Sequence, residues 1–332
     1  MQTVNKKQRI ESLYILKAIC AYFVVYIHMN GNHPLLMPIL GIGTPCFLSI
    51  TGYLLYSADH ERERMKCIKW AKKTFWLAVS CNLLYILAYY ANGEDKLFTS
   101  LSFHVQNFFF GNQVSGHLWY LSALWQALLV MFLIIRYVPR TINVLPVLFL
   151  VAYLLRVYWE PFHPGTGALR NNFLVTSLPF LATGYLVHKY EELFLKKFNV
   201  LVCLLVTLLV AYAEFFLRKH FGLRYSYFLL TSYPLVVFLM FACVRYKNFT
   251  LPLLGKIGQF HSPNVYYFHI LFMGMINVFL SPLWPNELFA LVVYLVCLPF
   301  SVCFNFAANS LNKFILPYLK KITFRQQSSE LN

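Results

Sequence analysis

Apolar residues fall along this chain in ten long blocks, at 13–31, 38–57, 71–91, 117–136, 142–159, 173–190, 198–218, 225–243, 262–282 and 287–310. A membrane-spanning helix needs roughly 20 mainly apolar residues. The hydrocarbon core of a bilayer leaves no backbone group without a partner, so blocks of this kind must be helical. The pattern therefore predicts an all-α polytopic membrane protein with about ten transmembrane helices. It is expected to be one membrane-embedded domain over residues 1–324, with a short polar tail over 325–332. The longest polar gaps, 92–116 and 244–261, are too short for a folded domain, though "SLSFHVQNFFFG" (100–111) has the aromatic character of a helix lying at the headgroup level.

Composition agrees with the pattern. The chain is 59% hydrophobic and 12% charged, with a mean hydropathy of +0.58. A soluble protein carries about a quarter charged residues. The apolar block from Leu13 is span-length and has no small-residue cleavage site, so it is expected to stay as a span, not to be removed as a signal peptide. Eight cysteines lie mostly inside apolar blocks without CxxC spacing and are expected to be small packing residues. The formal charge of +16 points to cytoplasmic loops facing anionic lipid, with no nucleic-acid partner. With the N-terminus inside, alternate loops hold 21 Lys/Arg on the cytoplasmic side and six outside (Lys96, Arg156, Arg170, Arg218, Lys219, Arg224), which predicts that both termini are cytoplasmic.

The first block, "LYILKAICAYFVVYIHMN", carries two ionisable residues, Lys17 and His28. Eleven residues of α-helix make three turns plus about 20°, so both side chains leave one face, roughly 16 Å apart along the axis. Lys17 falls toward the cytoplasmic side and His28 toward the outer half. That layout suits a reaction whose donor enters from the cytoplasm and whose acceptor waits outside. The competing reading is that Lys17 snorkels to the interface and His28 ties two helices together.

Five stretches, taken in order, resemble the acyltransferase 3 family of integral-membrane O-acyltransferases. "LKAICAYFVVYIH" is similar to the first-span motif of a basic residue, ten others and a histidine, with Lys17 in place of the usual arginine. "TPCFLSITGYLLY" (44–56) resembles the second span, with Thr51 in place of serine before Gly52. "KWAK" (69–72) stands where Arg-x-x-Arg is usual, "GHLWYLSAL" (116–124) resembles the His-Leu-Trp segment, and "SPNVYYFH" (262–269) the late Ser-x-x-x-Tyr-x-x-His element. Tyr14 occupies a position that is often acidic in the family, and Glu11 lies a turn further out. In size and span number the chain is most similar to the enterobacterial common antigen O-acetyltransferase type. The resemblance implies a bacterial inner-membrane enzyme moving an acyl group, usually acetyl, from cytoplasmic acyl-CoA to a hydroxyl of a glycan or lipid-linked glycan.

That chemistry assigns expected roles. A sugar hydroxyl needs a general base, and neutral histidine suits the task near neutral pH. His28 is expected either to deprotonate the acceptor or to accept the acyl group first. His117, Trp119 and Tyr120 are candidates to stabilise the negative charge developing on the thioester oxygen. Lys17, Lys69 and Lys72 would bind the phosphates of acetyl-CoA, the expected donor. Tyr266 and His269, three residues apart on one helix face, are expected on the inner half of the ninth span, either lining the donor path or tying helices together. His117 and Trp119 also read as an interfacial aromatic pair, and Lys69 and Lys72 as ordinary inside-facing lysines.

Other features read as structural or neutral. Glu214 and Arg218 form an i, i+4 pair that neutralises both near the outer interface. The loop "YWEPFHPGTGALRNN" either covers an acceptor or simply connects two spans. No HxxH, HExxH or acidic cluster suggests a metal. A transporter or flippase for lipid-linked glycans is the alternative reading, and would be expected to line a broad cavity with charge from several helices. A non-catalytic partner in a polysaccharide assembly is a third reading, disfavoured because His28 is retained.

Overall fold

The computed structural model describes residues 10–29, 33–93, 100, 103, 106, 109–110, 114–159, 163, 171–222, 229–280 and 286–329. Among these residues all regular structure is helical. The chain runs through α1 (Glu11–His28), α2 (Met37–Leu40), α3 (Gly43–Leu55), α4 (His60–Ala91), a 3₁₀ turn at Gly116–Leu118, and α5 (Trp119–Tyr137). It continues through α6 (Leu148–Leu154), α7 (Leu178–Lys197), α8 (Val200–His220), α9 (Ser232–Arg245), α10 (Pro252–Lys256), α11 (Ser262–Leu280) and α12 (Asn286–Ser329). Short π-helical turns adjoin α6, α7 and α11, the last at Ile257–His261.

Among the described residues, six helical stretches are long and apolar enough to cross a membrane: Glu11–His28, Met37–Leu55, His60–Ala91, Gly116–Tyr137, Val200–His220 and Glu287–Ser310. The other four predicted blocks also coincide with helices, two of them short apolar ones at Leu145–Leu154 and Ser232–Arg245. Along α8, Leu201, Leu205, Leu209 and Leu217 are exposed. Four leucines on one uncovered helix face require apolar surroundings.

Close backbone approaches hold the bundle around the functional residues. Where α3 crosses α7, a Cβ built on Gly184 would stand 1.7 Å from the Ser49 carbonyl oxygen, and one on Gly52 1.9 Å from that of Leu181. Only glycine fits at either position, and the Ser49 hydroxyl adds a 3.1 Å bond to the Phe180 carbonyl. Small residues at such a crossing let dispersion and polar contacts hold helices that lipid does not push together. The glycine of "SITGY" is thus a packing requirement. The C-terminal carbonyls of α3 are capped by Lys66, whose ammonium donates to Leu54 (2.9 Å), Leu55 (3.0 Å) and Tyr56 (3.3 Å).

A second approach sets the register of the site. A Cβ on Gly258 would lie 1.7 Å from the Tyr14 carbonyl oxygen, so α1 rests on the helical run that starts at Pro252 and continues into α11. Measured from that crossing at 1.5 Å per residue, His28 lies about 21 Å along α1 and His269 about 16 Å along its neighbour. The two histidines therefore arrive at nearly the same depth. The Tyr294 hydroxyl of α12 donates to the Ala18 carbonyl at 3.1 Å and closes the other side of α1.

Several boundaries differ from the sequence reading. α4 begins at His60, eleven residues before the apolar block, because Asp59 caps it by accepting from the Glu61 N–H at 2.9 Å. α12 stays helical to Ser329, through most of the expected polar tail. Polarity alone does not end a helix, and that segment is rich in good helix formers. Glu160, Arg170, Lys96, Arg224 and most of 100–111 lie outside the described residues. The Glu214–Arg218 pair is present at 3.7 Å. Glu214 also accepts from the N–H groups of Leu230 (2.8 Å) and Thr231 (2.9 Å), which fixes the approach to α9.

Candidate active site

Three histidines from three distant parts of the chain meet inside the bundle. His28 closes α1, His117 sits in the 3₁₀ turn before α5, and His269 lies in α11. The ring of His269 is 5.0 Å from that of His28 and 5.0 Å from that of His117, while His28 and His117 are 6.2 Å apart. His117 and His269 are fully buried, and His28 is the most accessible of the three.

Hydrogen bonds fix two of the rings. His117 Nε2 faces the Tyr267 carbonyl oxygen at 3.3 Å, so it carries the proton, and Nδ1 accepts from the Ser115 hydroxyl at 2.9 Å. Both nitrogens of His117 are therefore committed. The Tyr266 hydroxyl donates to the His117 carbonyl at 2.6 Å, and the Tyr85 hydroxyl shares the Tyr267 carbonyl at 2.9 Å. His269 is held differently. Its Nδ1 faces two carbonyls, Tyr266 at 2.8 Å and Val265 at 3.2 Å, so Nδ1 bears the hydrogen. Its Nε2 is then a lone-pair acceptor, buried and without a partner. Leaving such an acceptor unmet costs about 1–3 kcal/mol.

Three clustered histidines raise the question of a metal. Among the described residues no group of three metal-ligating side chains is placed to hold one.

Beneath the cluster lies a cavity of about 350 Å³ between α1, α3, α4, α5 and α11. Lys17 and Lys73 line it together with Phe47, Trp70, Tyr120 and Tyr266, and among the described residues no acidic side chain does. Lys17 stands 6.0 Å from the centre of the Phe47 ring. The cavity reaches Tyr266, whose ring lies 5.9 Å from His117 and 6.1 Å from His269. A cationic part, apolar walls and an imidazole cluster thus follow one another through the bundle. Such an arrangement can hold an anion and place a group attached to it near a base.

The expected site residues divide accordingly. His28, His117, Tyr266 and His269 come together, and Lys17 lies along the cavity. His269 stands beside His28 and is not separated from it in depth as expected, because its helical run starts at Pro252, ten residues before the apolar block. Lys69 and Lys72 are exposed and do not line the cavity. The face of α4 that does is Trp70, Lys73, Thr74 and Leu77, at i, i+3, i+4 and i+7. Lys73 was missed, although that spacing was available to find it. Trp119 is half-buried with its ring 6.4 Å from Tyr120, and it is absent from the cavity wall. Tyr120, Leu124 and Leu128 form the face of α5 that lines the cavity, and Trp119 points about 100° away from it. The Glu11 carboxylate packs where a Cβ on Gly255 would stand.

No curated protein and no solved structure matches the chain. A family model described as an acyltransferase domain matches residues 10–308, almost the whole of the helical bundle. On that match the chain belongs to the acyltransferase 3 family, and it is a membrane acyltransferase.

Proposed function

We propose that the protein is an O-acyltransferase that takes an acetyl group from cytoplasmic acetyl-CoA and transfers it to a hydroxyl of a cell-envelope or exported glycan. The observation that carries this reading is that the lysine-lined cavity adjoins the histidine cluster, with the Tyr266 ring between them, on the cavity wall and about 6 Å from the His117 and His269 rings. Lys17, with Lys73 at the mouth, binds the phosphates of the coenzyme, and the apolar walls accept its thioester arm. Lys69 and Lys72 add at most a diffuse positive field. His28, the most accessible of the three clustered histidines, acts on the acceptor hydroxyl as general base or carries the acyl group in transit. Tyr120, on the cavity wall, is placed better than Trp119 or the committed His117 to donate to the developing oxyanion.

In the same reading the chain crosses a bacterial inner membrane ten times with both termini in the cytoplasm, supported by the 21-to-6 distribution of basic residues. The acceptor is a glycan or lipid-linked glycan, as in the enterobacterial common antigen O-acetyltransferase type that the chain resembles. The test is mass spectrometry of envelope glycans from cells with and without the gene. The expected result is an acetyl-sized mass difference in one glycan. If every envelope glycan is unchanged, the reading fails, and transport of lipid-linked glycan becomes the better one.

A further inference from the structure

We propose that His269 is the proton-accepting partner of His28, a positioning residue that acts through His28 and takes no part in donor binding. The inference rests on the acyl-transfer reading above and extends it by dividing the work among the three histidines. Each has a different hydrogen-bonding state. His117 has both ring nitrogens committed, to Ser115 and to the Tyr267 carbonyl. His269 has its Nδ1–H anchored on two carbonyls and its Nε2 buried without a partner. His28, 5.0 Å from His269, is the accessible ring of the pair.

A histidine that only tied two helices together would be expected to use both nitrogens, as His117 does. His269 instead spends one nitrogen on the carbonyls of Val265 and Tyr266, within its own helix. This fixes the ring and leaves the Nε2 lone pair bare on a ring 5.0 Å from each of the other two imidazoles. Pairing requires a rotation of the more accessible His28 ring, 5.0 Å away between ring centres, to present a nitrogen to His269 Nε2.

The proton path then balances. The acceptor O–H bond breaks as its proton goes to one ring nitrogen of His28. The proton on the other nitrogen of His28 passes to His269 Nε2. The freed oxygen attacks the thioester carbonyl, forming the ester C–O bond and breaking the C–S bond. The proton returns through His28 to the leaving thiolate, and both imidazoles end neutral. While His269 holds the extra proton, its Nδ1–H bonds to the two carbonyls become charge-assisted and stabilise it. His117 holds Tyr266 in place through the 2.6 Å bond from the tyrosine hydroxyl to its carbonyl.

The experiment uses the full chain in nanodiscs, with acetyl-CoA and a cell-envelope glycan fraction, following release of the free coenzyme thiol. His269→Asn keeps an amide N–H at the place of Nδ1, able to donate to the same carbonyls, but cannot take up a proton. It should lower kcat on the order of 100-fold, the lower end for loss of a proton-transfer group, and leave KM for acetyl-CoA unchanged. Added imidazole should restore part of the rate to His269→Ala. Wild-type kcat in His269→Asn would reduce His269 to a helix tie, and a raised KM with kcat retained would return it to donor binding. Both results overturn the relay while leaving acyl transfer intact. Absence of turnover in the wild-type protein would remove the acyl-transfer reading, and the relay with it. If the variants do not accumulate, ¹⁵N-histidine NMR of the wild type decides. The relay requires His269 with Nδ1 protonated and Nε2 bare, and a proton on Nε2 at rest overturns it.

Discussion

The lysines give the sharpest test of where the donor sits. Lys17 is half-buried on the wall of a largely apolar cavity whose described lining holds no acidic side chain, whereas Lys73 is exposed at its edge and Lys69 and Lys72 lie off it. A hydrogen bond to a charged group in a partly buried setting is worth about 1.5–3 kcal/mol. At about 1.4 kcal/mol per factor of ten, Lys17→Ala should weaken acetyl-CoA binding about 10- to 150-fold. An exposed ion pair is worth about 0.2–1 kcal/mol, so Lys73→Ala should cost only about 1.4- to 5-fold. Lys69→Ala and Lys72→Ala should be close to neutral, and Lys17→Arg should bind well because it keeps the charge and adds donors. Equilibrium binding of radiolabelled acetyl-CoA to purified variants in nanodiscs, at two ionic strengths, measures all five. Raised salt should erase the Lys73 effect and leave most of the Lys17 effect, since buried charges are screened less. Normal binding by Lys17→Ala, or a loss in Lys69→Ala or Lys72→Ala equal to that in Lys17→Ala, would refute the placement of the donor in this cavity.

His28→Ala should lower transfer by about 10²–10⁴-fold with acetyl-CoA binding and membrane abundance preserved; near-normal transfer by a well-expressed variant would return His28 to a structural role. Gly184→Ala puts a Cβ 1.7 Å from the Ser49 carbonyl oxygen, so α3 and α7 must separate at a cost of about 1–3 kcal/mol. Fluorescence-detected size exclusion after heating should report a lower melting temperature, and an unchanged one would mean that the crossing is looser than described. Reporter fusions at Gly93 and Gly222 should read outside the cytoplasm and those at Arg62 and Lys247 inside, and reversal at two of the four would overturn the ten-span topology.

Much of the fold was legible because lipid enforces a simple rule. A backbone that cannot hydrogen-bond to its solvent must be helical, so apolar blocks alone located a helix at each of the ten positions. What the blocks could not reveal is where helices extend beyond lipid. α4 continues into polar sequence because Asp59 caps it there, and the run from Pro252 begins well before the residues become strongly apolar. The second omission had consequences. Counting depth from Ser262 put His269 near the cytoplasm, whereas the Gly258–Tyr14 crossing brings it up beside His28. Lys17 and His28 were readable as a pair because one helix carries both. The meeting of His28, His117 and His269 depends on the packing of three helices, which no spacing along the chain records.

The arrangement of polarity also separates a transferase from a transporter on physical grounds. A transporter must offer its cargo a polar path that opens in turn to each side, and charged groups near the membrane midplane are the usual mark of one. Among the described residues the charges lining the cavity are two lysines, Lys17 and Lys73, and its walls are otherwise aromatic and aliphatic apart from Thr51 and Thr74. The polar groups beyond Tyr266 are imidazoles, two of them fully buried and pinned by backbone carbonyls. Pinned, neutral and partly unpaired groups are poor stepping stones for a large hydrophilic glycan. They serve a reaction well, because a donor anchored by its phosphates at one end needs only a fixed base at the other, and every hydrogen bond that immobilises the cluster removes motion the transition state would otherwise have to restrict.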